Sequence, residues 1–288
     1  MTEIEHYVAP TSLEQAAEYL RSGEVTILAG GTDLMPQSQS GRLKIKRTLM
    51  NIRRVPELNG IAIDNGAIRI GALATMTEIM QSELVKKHLP ILIEACDHFA
   101  SDQIRNAATL GGNICNASPA GDTLVPLLVL DAEVELASKP NGSLSRRRVP
   151  LADFFTGPGK TKLGAAELLA GVRIPLPGPA RYARFFKFGT RPALDISTVS
   201  IGIAGTLKNG ALSRVRVAFG AVAPVPMRAP RTEQALEGKR LDPKTIDAIA
   251  GVARDEVNPI DDVRASAWYR KELIHNITKR MLGHVAQT

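Results

Sequence analysis

The stretch that decides the fold is Thr109-Leu110-Gly111-Gly112-Asn113-Ile114-Cys115-Asn116-Ala117-Ser118-Pro119-Ala120-Gly121-Asp122. Two adjacent glycines let backbone approach a ligand where a side chain would be in the way. Thr109, Asn113, Asn116 and Ser118 crowd hydrogen-bonding groups around them, and Asp122 opens the apolar run Leu124 to Leu130 as a helix N-terminus would. That combination predicts either a cradle for phosphates and a nucleotide's sugar or a tight turn before a helix. A second stretch of the same kind, Leu28-Ala29-Gly30-Gly31-Thr32-Asp33-Leu34, follows the β-branched run at Val25 and favours the cradle. It is not GxGxxG, so the common dinucleotide fingerprint is absent.

The surrounding chain reads as α+β. Residues 13 to 20 have helical apolar spacing behind Ser12; strand Val25 to Ala29, a helical turn from Leu34-Met35 and strand Leu49 to Ile52 close a small β-α-β unit around residue 55. Asn65-Gly66 between Ile61–Asp64 and Ala67–Ile70 predicts a hairpin, because both turn positions need positive φ. Helices are expected over 75 to 82, over 84 to 99 with an interruption at Pro90, and over 124 to 130. Strands are expected over 132 to 137 and 167 to 174. Gly157-Pro158-Gly159-Lys160 lacks the Gly-Lys-Ser/Thr ending of a phosphate loop and reads as a flexible loop, as does Arg148-Val149-Pro150-Leu151. Pro175-Leu176-Pro177-Gly178-Pro179 is the clearest linker. Beyond it come a strand at 181 to 188, a hairpin around Asn209-Gly210 and three helices. The expected division is therefore residues 1–176, in subdomains 1–56 and 57–176, followed by 180–288 with a three-stranded antiparallel sheet covered by helices.

Bulk properties bound the function. The chain has 288 residues, 44% hydrophobic and 23% charged, ordinary for a globular protein. No apolar run reaches the roughly 20 residues that span a bilayer, and the acidic start Met1-Thr2-Glu3-Ile4-Glu5 is not a signal peptide, so the expected location is the cytoplasm. Two cysteines, Cys96 and Cys115, are too few for an iron–sulfur cluster, and the scattered histidines give no zinc spacing, so no metal site is expected. The net charge is +7, but aromatics are 4% and do not interleave with the basic clusters at 42 to 54 and 146 to 148. A solvated face or a surface for an acidic partner subunit is expected rather than a nucleic-acid interface.

The two glycine stretches, in this order, together with Phe186-Lys187-Phe188-Gly189-Thr190-Arg191 and Pro192-Ala193-Leu194-Asp195-Ile196-Ser197, resemble the FAD-binding medium subunit of the molybdenum hydroxylases, the xanthine dehydrogenase and carbon monoxide dehydrogenase type. The resemblance covers essentially the whole chain. It implies a two-subdomain FAD-binding domain of the PCMH or vanillyl-alcohol oxidase-like fold with a smaller C-terminal α+β domain. It implies that Ala29, Gly30, Gly31, Thr32, Asp33 and Leu34 wrap the FAD pyrophosphate. Thr109, Leu110, Gly111, Gly112 and Asn113 would hold its other side, Ser118 and Asp122 the ribityl or ribose part, and Leu169 the adenine end. Lys187 would lie close to the flavin and favour its anionic reduced form, with Phe99 over the ring.

Two converging sets of backbone N–H groups can accept a pyrophosphate without a basic side chain, which agrees with the resemblance. Asp33 would then cap nearby N–H groups or bind a hydroxyl, and Asp195 would cap the turn around Ser197. No histidine or cysteine stands in the first stretch, so the FAD is expected to be non-covalent. The resemblance places no catalytic residue in this chain. The 2Fe-2S clusters and the molybdopterin cofactor are expected in partners, an iron–sulfur small subunit and a molybdenum-cofactor large subunit. Electrons would leave to an external acceptor such as NAD, quinone or oxygen. A stand-alone FAD-dependent reductase or oxidase of the same fold and a basic, non-enzymatic nucleotide-binding module are the alternatives.

Overall fold

The computed structural model describes residues 4–179, 181–191 and 194–287. The expected domain start at residue 180, the residues Pro192 and Ala193 and the first three residues of the acidic start lie outside the described residues. The first unit is a parallel sheet of β1 (His6–Val8), β2 (Val25–Leu28) and β3 (Thr48–Asn51), in the order β1-β3-β2. Helix α1 (Leu13–Leu20) connects β1 to β2. Its Ser12 side chain accepts from the Gln15 N–H, and Leu13, Ala16, Ala17 and Leu20 bury one face against Met50, Ile52 and Val55. Helix α2 (Leu34–Gln39) leads from β2 toward β3. The strand β1 is not expected from the sequence, because its three residues point mostly to solvent and carry no alternation.

The second unit begins with the hairpin β4 (Ile61–Asp64) and β5 (Ala67–Gly71), whose Asn65 and Gly66 have φ of 47° and 73°, as the Asn-Gly pair requires. Helices α3 (Met76–Gln81), α4 (Glu83–His88), α5 (Pro90–Asp97), α6 (Asp102–Arg105), α7 (Leu110–Asn116) and α8 (Leu124–Val129) follow. Pro90 is tolerated because it opens α5 instead of interrupting a helix. The chain then adds β6 (Glu133–Ser138), β7 (Ser145–Pro150), the ribbon β8 (Phe155–Gly157) with β9 (Lys160–Thr161), and β10 (Glu167–Pro175). These make an antiparallel sheet of order β4-β5-β10-β6-β7. Of two expected loops, one is strand and the other is the tight turn of a ribbon. Arg148-Val149-Pro150 closes β7, where Arg146 reaches Glu135 at 2.5 Å and Arg147 forks onto Glu167 at 2.6 Å. The run of arginines hid an edge strand whose charges are paired along the sheet. Gly157-Pro158-Gly159-Lys160 is the turn of the β8–β9 ribbon, held where the Gly159 N–H donates to the Ala117 carbonyl at 3.0 Å.

The third unit is an antiparallel sheet of β11 (Arg181–Phe188), β12 (Val199–Lys208), β13 (Ala211–Gly220) and β14 (Met227–Arg228). It has four strands, not three, because the two residues of β14 are too few to show a period. Asn209 and Gly210 again take positive φ at the hairpin. One face carries Val199, Ile201 and Ile203 against α10 (Pro243–Glu256) and α11 (Ala267–Ala286), with α9 (Pro230–Leu236) beside them. The other face is trimmed to fit α8, since a Cβ on Gly202 or Gly220 would come within 2.9 or 3.0 Å of Val125 side-chain atoms. Phe185, Ala204 and Ala218 thereby join the same core as Leu124 to Leu130. The linker changes composition, yet the units on its two sides share a hydrophobic core.

Ile114 is fully buried and anchors α7 in that core. Ile114→Ala is expected to lower stability by about 2–5 kcal/mol, read from the urea midpoint of the purified chain.

Candidate functional site

The first glycine stretch sits where β2 stops. Gly31 has φ of +76°, which turns the chain sharply into α2. Among the described residues, the N–H groups of Gly30, Gly31, Thr32 and Asp33 donate to no protein acceptor. Asp33 heads α2 without a side-chain capping bond, so the capping role expected for it is not taken up. Burial pushes its carboxyl up from the ordinary range, with the Gln37 side chain pulling the other way. A consecutive run of unpaired N–H groups is an anion-binding concavity.

The second glycine pair lies inside a helix and not in a turn. Thr109 caps α7, accepting from the Gly112 N–H at 3.1 Å, while Leu110 and Gly111 donate to the Ala74 and Ala72 carbonyls at 2.9 Å. A Cβ on Gly111 would lie 2.8 Å from Ala72 atoms, so α7 crosses β5 at a distance that only glycine permits. Asn113 accepts from the Thr123 hydroxyl at 2.6 Å. The two stretches meet directly. A Cβ on Gly30 would overlap the Ala107 carbonyl oxygen and sit 2.9 Å from its carbon. The Gln37 amide donates to the Asn116 side chain at 3.0 Å across the same junction.

Between them lies a cavity of about 530 Å³. Ala29, Gly30, Gly31, Thr32, Asp33, Leu34, Thr109, Gly111, Gly112, Asn113 and Leu169 all line it, and Phe99 does as well. Its other walls come from Ile27 and Leu43 and from Gly159, Leu163, Gly164 and Glu167. No pattern in the sequence marks that last group; Gly159, Leu163 and Gly164 reach the cavity because the β8–β9 ribbon and the loop after it pack on α7, and Glu167 because β10 does. No lysine or arginine is among the lining residues, and Glu167 is already held by Arg147. The volume suits a bound small molecule.

Four expected site residues stand outside the cavity wall. Leu110 is fully buried beneath α7, and the Ser118 hydroxyl accepts from the Ala120 N–H at 3.2 Å. Asp122 does not cap α8, whose first turn has no side-chain cap. Its carboxylate instead takes the Lys187 ammonium at 2.8 Å and the Ser197 hydroxyl at 3.0 Å. Lys187 also donates to the His98 carbonyl at 3.0 Å. The two side chains are 7% and 11% exposed, so this is a buried ion pair bridging β11 to the segment before α8. Burial pushes the Asp122 carboxyl up and Lys187 opposes the shift. Asp195 caps the turn at Thr190 and Arg191 and the Ile196 N–H, which places its role one turn before Ser197. Burial pushes both cysteine thiols up to about 12, and Cys96 rests against the Met76 sulfur at 3.7 Å. Both are therefore neutral thiols near pH 7.

Because the Asp122–Lys187 pair is buried, Lys187→Met leaves a carboxylate without its partner. We expect a loss of about 3–5 kcal/mol by denaturant unfolding, largely recovered in the Lys187→Met/Asp122→Leu double variant. A lysine facing open solvent would give no such loss.

The comparisons with known proteins agree with this geometry. Residues 2–177 match the model of the FAD binding domain in molybdopterin dehydrogenase, and residues 184–285 match the CO dehydrogenase flavoprotein C-terminal domain. The xanthine dehydrogenase FAD-binding subunit of Escherichia coli O157:H7 is 36% identical over 98% of this chain and 96% of its own. The glyceraldehyde dehydrogenase medium chain of Sulfolobus acidocaldarius is 33% identical over 97% and 98%. Among solved structures, carbon monoxide dehydrogenase from Hydrogenophaga pseudoflava superposes with a TM-score of 0.90 at 30% identity, covering 96% of this chain and 94% of that one. Neither a stand-alone oxidase nor a nucleotide-binding module is favoured by these relatives. With its two glycine stretches facing one cavity and its C-terminal sheet docked on α8, the chain belongs to the FAD-binding subunits of the molybdenum hydroxylase family, an oxidoreductase family.

Proposed function

We propose that FAD binds non-covalently in the cavity between the two glycine stretches, with its pyrophosphate at the N–H groups of Gly30 to Asp33. The observation that carries this reading is that run of unpaired N–H groups, facing a cavity with no basic side chain. A pyrophosphate satisfies such groups and is stabilised by their dipoles. Thr109, Gly111, Gly112 and Asn113 form the opposite wall, and the absent Cβ atoms keep that wall close. Thr32 and the Asp33 carboxyl suit hydroxyl groups of the ligand. Leu169, Ile27 and Leu43 offer apolar surface to a ring system, and Phe99 offers an aromatic one. Leu110, Ser118, Asp122 and Lys187 act one layer back: Leu110 fixes α7, Ser118 fixes the turn that follows it, and the Asp122–Lys187 pair holds the C-terminal sheet in place. The division we propose is 1–176, in subdomains 1–56 and 57–176, and 180–288.

Bound FAD supplies two-electron and one-electron transfer, and no residue of this chain need act as nucleophile or base. The full-length relatives are dehydrogenase subunits by name, which supports a place in a multi-subunit enzyme. In that assembly an iron–sulfur subunit with 2Fe-2S clusters would deliver electrons from a molybdopterin-bearing subunit, where the substrate is oxidised. An external acceptor such as NAD, quinone or oxygen would remove them. No helix among the described residues is long and apolar enough to cross a membrane.

Purified chain should show flavin absorption and release FAD on heating, or take up FAD after purification. Failure to do either would remove this reading. Gly30→Val should weaken FAD binding by about 100-fold or more, because parting the loops misplaces several hydrogen bonds to charged oxygens worth about 1.5–3 kcal/mol each. Gly251→Ala, at a position with open space around it in α10, should retain FAD as the parent chain does.

A further inference from the structure

A second, smaller cavity of about 190 Å³ lies at the joint between the two domains, away from the proposed FAD site. It is walled by the end of α8, the linker and the inner face of the β11–β13 sheet. Its charged side chains are Arg181, Arg214, Arg216 and a single carboxylate, Asp131. That carboxylate is already shared: Arg216 holds it at 2.9 Å and Arg228 at 2.9 Å. Arg181 and Arg214 have no carboxylate within ion-pair distance among the described residues. Arg214 donates to the Thr206 hydroxyl at 2.8 Å, and Arg181 reaches only the Val129 carbonyl at 3.5 Å. The nearby Glu237 is occupied by the backbone N–H groups of Arg214 and Val215 at 2.8 Å.

Arg214 is placed there by the backbone. The β12–β13 ladder shifts register between Ala204 and Thr206, and opposite that shift Arg214 takes φ of +51°. Glu237, which accepts from the Arg214 and Val215 N–H groups, holds this uncommon conformation in place. Arg181 is half-buried, and leaving a guanidinium partly out of water without an anion is costly. The cavity therefore holds an excess of positive charge with unused N–H donors, in a space open to a small ligand.

We propose that this cleft binds a phosphate-type oxyanion, held by the guanidinium donors of Arg181 and Arg214, while Arg216 stays engaged with Asp131 and the Arg214 and Val215 carbonyls. A tetrahedral oxyanion has enough acceptors to take both and would neutralise the two guanidiniums that hold no carboxylate in an ion pair among the described residues. The anion arrives either free or as the terminal group of a phosphorylated small molecule. The second source has room, because Arg181 and Gly178 also border a neighbouring cavity of about 590 Å³ that contains Lys87, His88 and Tyr182.

The test uses the FAD-loaded protein, so that phosphate cannot report on the empty flavin site. Titration with inorganic phosphate at constant ionic strength, followed by calorimetry and by 31P line broadening, should give saturable binding. Arg181→Gln and the exposed Arg214→Gln should each weaken it by about 10- to 100-fold, the loss expected for a hydrogen bond between charged groups, with the flavin spectrum unchanged. ADP binding at least tenfold more tightly than phosphate, with the gain lost in Lys87→Ala, would identify a phosphorylated molecule as the source. Equal binding of the two would identify the free ion. Binding that survives in the Arg181→Gln/Arg214→Gln double variant, or no binding beyond that of chloride, would overturn the proposal. So would loss of phosphate binding when the chain is assembled with its partner subunits, since the arginines would then be taken by a partner's carboxylates.

Discussion

The close approach of Gly30 to the Ala107 carbonyl is the contact on which the site depends. It brings the turn after β2 against the segment that leads into α7, and so sets one cavity between the parallel and the antiparallel units. A small core around Leu13 and Met50 packs the parallel β-α-β unit onto Leu58, Leu73, Ala137 and Leu168 of the antiparallel unit, which also carries the large core. Neither alone presents both walls. Glycine is required at the junction for lack of room, whereas at Gly31 it is required by φ.

The electrostatics follow from the same economy. The cavity wall has no lysine or arginine, and the basic residues that give the chain its +7 charge lie elsewhere. Many are committed to carboxylates along the sheets, as Arg146 and Arg147 are to Glu135 and Glu167. In the proposed site a pyrophosphate would be held by backbone N–H dipoles, which are fixed by the fold and need no side-chain ordering. The buried Asp122–Lys187 pair serves a different end. It crosses from the FAD-binding unit to the C-terminal sheet at a point where α8 has already lost side-chain bulk on its neighbours at Gly202 and Gly220. The two units are therefore joined by packing along α8 and by charge at several points, since Arg216 and Arg228 also hold Asp131 and Arg184 holds Glu94 across the same joint.

Much of this was legible in the residues themselves. Asn65-Gly66 and Asn209-Gly210 mark their hairpins because positive φ at both turn positions is a local demand. The two glycine stretches mark the cavity because close approach leaves a compositional trace. What escaped the sequence was long-range. Nothing local distinguishes an edge strand of arginines at 145–150 from a loop until Glu135 and Glu167 are brought alongside. Asp122 reads as a helix cap until β11 presents Lys187. The two-residue β14 and three-residue β1 exist only because neighbouring strands supply partners. Gly159, Leu163 and Gly164 join the cavity through the packing of the β8–β9 ribbon and its following loop on α7, a tertiary fact with no local signature.

The measurement that bears most directly on the central claim is amide hydrogen exchange with and without FAD. In the free chain the N–H groups of Gly30 to Asp33 have no protein acceptor and should exchange quickly. On FAD addition they should slow together with those lining the opposite wall at Gly112 and Asn113, while α10 and α11 stay unchanged. Unchanged exchange at 30–33 with protection confined to another part of the chain would contradict the account and move the cofactor elsewhere.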